Sequence, residues 1–110
     1  METILKKRTK QIQDNYDSLS NLEDIYCKLG YDYGLISDEM TDSLKQNQAV
    51  KRKIKSENLK TMAEFNREYE LSAEYIILKS CKYQLKALER LMSGLKVRIE
   101  SLRAQDKGQY

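Results

Sequence analysis

The segment AVKRKIKSENLK, residues 49–60, gathers Lys51, Arg52, Lys53, Lys55 and Lys60 against a single acid, Glu57. Cations clustered in this way can neutralise phosphates and release the counterions held around a polyanion. They carry no code for base sequence, which requires polar groups placed in a groove. Wound at about 100° per residue, the segment puts Val50 and Ile54 on one side of a helix. Lys45, Lys51, Arg52, Lys53, Lys55 and Lys60 then fall within roughly the opposite 200° arc. The plain alternative is a solvated helix face. A merely soluble helix, however, mixes signs at i,i+4, and local acids are scarce here. These six residues form the candidate nucleic-acid-binding set.

Other chemistry has little to draw on. Histidine is absent, which removes the commonest general base and the commonest metal ligand. Cys27 and Cys81 form no CxxC pair, and two thiols without His make a poor zinc site. They read as reduced core cysteines of a cytoplasmic protein. No Gly-rich phosphate loop occurs. The carboxylates fall among other charges on helices, where solvent-facing pairing is the default. The expectation is a non-enzymatic protein with no catalytic residue, no metal and no cofactor. Of the eight tyrosines, Tyr26, Tyr69 and Tyr75 lie on apolar stripes and read as packing residues. Tyr31, Tyr33 and Tyr110 lie in expected turn or tail positions and are the ones free to stack on a base.

The elements that must carry these residues are helical. The 110 residues suit one small domain; 40% are hydrophobic and 34% charged, with no Pro, no Trp and four Gly. Such a mix favours an all-α chain. Leu19, Leu22, Tyr26 and Leu29 step by 3, 4 and 3, and Ile12 extends the stripe, so a first helix is predicted over residues 3–29. Gly30 is placed as its C-cap, GYDYG as a turn and LISDEM as a new helix start capped by Ser37 or Asp38. Residues 1–36 are thus an N-terminal helix and turn.

Residues 37–104 form a long helical region. As one helix, Glu39 to Ala104 would run roughly 100 Å at 1.5 Å per residue, so a break is expected within it. Its weakest part is 43–61, where the stripe Asn47, Val50, Ile54 and Asn58 is half polar. From Met62 the rhythm recovers through Phe65, Tyr69, Ser72 and Ile76. It continues through Leu85, Leu88, Met92, Leu95, Ile99 and Leu102. These last six form a coiled-coil-like a/d seam and the candidate oligomer interface, within a seam region of 62–102. YIILKSC is apolar on more than one face and reads as lying between two partners. Gly94 suits either a close helix crossing or a tolerated surface position. Residues 105–110 read as a flexible tail.

The net charge of +3 hides alternating blocks. Residues 11–44 carry eight acids against Lys28 alone, and 45–60 carry six basic groups against Glu57. A second basic set, Lys79, Lys82, Lys86, Arg90, Lys96, Arg98 and Arg103, flanks the seam as rim residues or as further nucleic-acid surface. A lone short helical chain buries little surface, which favours a homo-oligomer. The longest apolar run, Tyr75–Leu78, is too short for a membrane span. Lys6, Lys7 and Arg8 lack a following apolar stretch, so no signal peptide is expected.

The stretch VKRKIK, followed by a long apolar helix and ending in SGLKVRIESLRAQDKG, resembles phage recombination-mediator proteins of the UvsY type and related small phage replication and recombination accessories. The resemblance covers roughly residues 45–108. It implies a helical, ring-like homo-oligomer that binds single-stranded DNA and helps load a recombinase onto strands covered by a single-strand-binding protein. On this likeness Lys51, Arg52, Lys53 and Lys55 match the DNA-binding motif, and Leu95 to Leu102 with RAQDKG match the assembly helix. The setting implied is the host cytoplasm. Two other readings stay open. One is a coiled-coil chaperone or structural protein holding another helical protein. The other is an inhibitor whose acidic 11–44 block mimics DNA.

Overall fold

Apolar residues at alternating steps of 3 and 4 run far longer through this chain than its glycines suggest. The computed structural model describes residues 4–57 and 61–106. It is all-α, with helices α1 (Ile4–Asp14), α2 (Leu19–Glu57), α3 (Met62–Glu70) and α4 (Ala73–Asp106). No strand occurs among the described residues. The chain divides into two units, one built from residues up to Leu35 and from Gln84 onward, the other from Ile36–Tyr83.

In the first unit, α1 packs with the beginning of α2 and the end of α4. Leu22, Ile25 and Leu29 of α2 and Leu88, Leu95, Ile99 and Leu102 of α4 are buried. Fully burying a leucine stabilises by about 2 kcal/mol, so Leu22, Leu29 and Leu88 weigh heavily here. The two helix segments are antiparallel: Arg103 pairs with Glu23 at 3.4 Å, while Tyr33 donates to Glu89 at 2.9 Å. Helix α1 is fixed by Arg8, whose Nε and Nη2 donate to the two Asp32 oxygens at 2.7 and 3.2 Å. That hydrogen bond raises the Arg8 guanidinium above its ordinary value, outweighing the opposing effect of burial.

The expected helix over 3–29 is interrupted. Asn15 ends α1: its side-chain amide donates to the Gln11 carbonyl at 2.8 Å and competes with the helical ladder. Ser18 then donates its backbone N–H to the Asn15 carbonyl at 2.9 Å, and α2 begins at Leu19. Arg98 holds this corner, donating to the Tyr16 carbonyl at 3.0 Å and to Asp17 at 2.6 Å, with its guanidinium 4.2 Å from the Tyr16 ring centre. The expected turn at GYDYG and helix start at LISDEM are corrected. Both lie inside α2, because Leu29, Asp32 and Ile36 carry the buried stripe straight through. Gly30 and Gly34 are exposed and face open space, so they weaken the helix without ending it.

In the second unit, Ile36, Ser43, Asn47 and Ile54 of α2 are buried, as are Leu78 and Cys81 of α4. The break expected within 43–61 falls at its far end, after Glu57; Asn58 and Lys60 lie outside the described residues. Thr61 starts α3 as its N-cap, accepting from the Glu64 backbone N–H at 3.2 Å in a Thr-x-x-Glu arrangement. Ser72 makes a second break that cuts the expected Met62–Ile76 stripe. Its hydroxyl donates to the Tyr69 carbonyl at 2.6 Å and accepts from the Tyr75 N–H at 3.2 Å, closing α3 and opening α4. Met62 and Ile76, the ends of that stripe, are exposed.

Candidate nucleic-acid interface

The basic segment occupies the last turns of α2. Ile54 is buried and Val50 half-buried, which turns Lys45, Lys51, Arg52, Lys53 and Lys55 to solvent. Among the described residues none of these five is paired with a carboxylate. Lys60 of the expected set lies outside the described residues.

Lys51, Arg52 and Lys55 line an open groove of about 700 Å³ between the end of α2, α3 and the first turn of α4. Facing them are Phe65, Tyr69 and Tyr75, with Asn66 and one acid, Glu70. Lys45 and Lys53 do not line it. Lys53 stands about 200° around the helix from Lys51, which puts the two on opposite sides. The structure thus divides the cationic set into a groove-lining group and an outlying one.

The aromatic wall is rigidly built. Tyr69 and Tyr75 meet edge to face, their ring centres 4.9 Å apart at 63°. The Lys51 ammonium lies 4.7 Å from the Tyr69 ring centre, in a cation–π contact. The Tyr69 hydroxyl donates to Asn47 Oδ1 at 2.6 Å. Asn47, only 2% exposed, in turn donates to the carbonyls of Ser43 at 2.7 Å and Glu74 at 2.8 Å. One amide therefore ties α2, α3 and α4 together, and every polar atom of its side chain is used. Burial raises the Tyr69 hydroxyl above its ordinary value, with Tyr75 adding to the shift.

Sequence reasoning placed Tyr69 and Tyr75 on packing stripes, and they do pack, yet both also border the groove. Their nearness to the basic turn of α2 was the signal missed, because it depends on where α3 folds back. Of the tyrosines expected to be available, Tyr31 is exposed, Tyr33 is half-buried and bonded to Glu89, and Tyr110 lies outside the described residues.

Four of the six seam residues are covered by their own chain. Leu88, Leu95, Ile99 and Leu102 are buried, and Leu85 and Met92 half-buried, without a second copy. Arg98 and Arg103 of the second basic set are engaged by Asp17 and Glu23. The acidic 11–44 block thus supplies internal partners, with Asp32 for Arg8 a third. Cys81 is buried, and burial together with Glu39 raises its thiol; Cys27 is exposed, which corrects its expected core position. Among the described residues no three His, Cys, Asp or Glu side chains stand as a metal-binding group, and no helix is long and apolar enough to cross a membrane.

Searches of family models, curated proteins and solved structures return no match to this chain.

Proposed function

We propose that this chain is a non-enzymatic, homo-oligomeric accessory that binds single-stranded DNA in phage recombination or replication and assists recombinase loading in the host cytoplasm. The observation that carries the binding part is the set of five exposed cations on α2 without a carboxylate partner among the described residues. Such a set gains most from a polyanion, whose condensed counterions it displaces. The recombination part rests on the resemblance of VKRKIK and the following helix to mediator proteins of the UvsY type. Because four of the six seam residues are buried within the chain, assembly would draw on Leu85, Met92 and other surfaces.

Anisotropy titrations of labelled single-stranded and duplex DNA across salt, with a solution mass measurement, test this reading. The expected result is preferential single-strand binding that falls steeply with salt. Replacing Lys51, Arg52 and Lys55 together by Ala should flatten the salt slope by about 0.7 per lost phosphate contact. Lys53→Ala should weaken binding less than Lys51→Ala. Absence of binding at low salt by the folded protein would sink the proposal.

A second reading, a protein that holds another helical protein, draws on a different observation. Leu71, Ile76, Ile77 and Tyr83 are all more than half exposed in the unit of residues 36–83. Ile76 and Tyr83, seven residues apart, share one face of α4, and a contiguous exposed apolar face marks an interaction surface. A stable protein partner captured by the wild type and lost in Ile76→Glu/Tyr83→Glu, with no oligonucleotide affinity, would favour it.

A further inference from the structure

A cationic helix face needs no aromatic residues beside it to hold phosphates. This one has three. Phe65 and Tyr69 stand one helical turn apart on α3, and Tyr75 meets Tyr69 edge to face. All three border the same open groove as Lys51, Arg52 and Lys55. Tyr69 is held from behind: its hydroxyl is fixed by buried Asn47, so the ring cannot easily turn away. What lies over the ring is the Lys51 ammonium, 4.7 Å from its centre. That cover is a flexible four-carbon chain ending in a charge that a phosphate would attract more strongly than a ring does.

We infer that the Phe65–Tyr69–Tyr75 wall is a nucleobase-stacking surface, and that Lys51 leaves the Tyr69 ring for a strand phosphate as a base takes its place. The inference rests on the proposed single-strand binding and adds what that reading lacks: a reason for preferring single strands. Bases in a duplex are stacked on one another and present no free face, whereas a single strand can lay a base on a ring while its backbone follows the cations. Every base has such a face, so the site tolerates any sequence. The groove commits to a nucleic acid over an acidic peptide, because acidic side chains would use the three cations and leave the rings unused.

The test separates bases from phosphates. The full chain is titrated with a labelled oligothymidylate and with an abasic strand carrying the same number of phosphates. Oligothymidylate should bind roughly 5- to 160-fold more tightly, the range expected for one stacked base. Phe65→Leu and Tyr75→Leu should each shrink that ratio while leaving abasic affinity and salt slope unchanged. Lys51→Met should lower affinity for both strands and flatten both slopes. Circular dichroism confirms folding of each variant, and Phe65→Leu, at a half-buried position, covers the case in which Tyr75→Leu fails to fold. Equal binding of the two strands by the wild type would overturn the stacking inference and leave the phosphate-binding reading standing. A full ratio retained in the folded Phe65→Leu variant would likewise overturn it. Binding of neither strand would overturn both.

Discussion

Tyr69 Oη donates a 2.6 Å hydrogen bond to Oδ1 of Asn47, a side chain buried in the stripe of α2. The bond joins a groove-lining ring to the unit's interior. It also makes the half-polar stripe around Asn47, the weakest part of the sequence pattern, the place where three helices are joined. A buried polar residue in an otherwise apolar seam fixes alignment at some cost in stability. Asn47→Leu should therefore cost about 1–3 kcal/mol, since it strands the Tyr69 hydroxyl and removes the amide's links to the Ser43 and Glu74 carbonyls. Urea unfolding of Asn47→Leu, Tyr69→Phe and the double variant should give a coupling of about 1 kcal/mol. Additive losses would show that the bond contributes nothing.

The same hydroxyl predicts an alkaline limit. Burial raises its folded-state pKa, so the native state holds the proton more tightly than the unfolded chain. Stability from this group is complete below its ordinary value near 10 and is lost as pH rises through the raised value. Tyr33, raised by its bond to the Glu89 carboxylate, shifts in the same direction. The drop in urea midpoint between about pH 8 and about pH 11 should be smaller in Tyr69→Phe than in the wild type. An unchanged drop would contradict the assignment.

The Arg8–Asp32 pair predicts a loss and a rescue. Both side chains are largely buried, at 13% and 6% exposure. Asp32→Ala leaves a guanidinium without its carboxylate and should cost about 3 kcal/mol or more. Arg8→Met with Asp32→Leu removes both charges and should recover most of that, as read from thermal midpoints. If the single and double variants melt alike, the pair does not hold α1.

Glycine substitution distinguishes a helix from a turn at GYDYG. In the middle of α2, with open space around each Cβ, Gly30→Ala and Gly34→Ala should each stabilise by about 0.5–1 kcal/mol. At a left-handed turn residue the sign would be reversed. A lowered melting temperature in both variants would restore the turn.

The two cysteines should react at different rates. Cys27 is exposed, whereas Cys81 is buried and its thiol is raised, which keeps it protonated and unreactive near neutral pH. An aromatic disulfide reagent should modify one thiol quickly and the second only with unfolding. Two fast thiols would refute the buried placement.

The a/d rhythm from Leu85 to Leu102 made the helix and its buried face legible in the sequence. It says that a helix must cover that face, but not whether the helix belongs to the same chain. Here Leu22, Ile25 and Leu29 on the buried stripe of α2 supply the matching face within the same unit. That stripe was hidden because Gly30 and Gly34 weigh locally as breakers, while the burial of Leu29, Asp32 and Ile36 acts over the whole helix. The true first break, at Asn15–Ser18, carried its own signal in the Asn, Asp and Ser of DNYDS. The exposed cations of α2 were legible from helical spacing alone. Their division into Lys51, Arg52 and Lys55 against Lys53 was not, since it depends on the side from which α3 approaches.

The division of the chain also bears on the order in which its parts can fold during synthesis. The unit of residues 36–83 is one continuous stretch, and its closest pairings, such as Asn47 with Glu74, span few residues. The other unit joins residues near the start to residues near the end, with Arg98 reaching Asp17 across 81 positions. On the ribosome the groove-bearing stretch can therefore close while α4 is still emerging. Leu22, Ile25 and Leu29, made earlier, wait for their cover until Leu95, Ile99 and Leu102 have been added. Residues made before the groove-bearing stretch are thus finished after it, with Leu22 and Leu29 uncovered until their partners on α4 have been added.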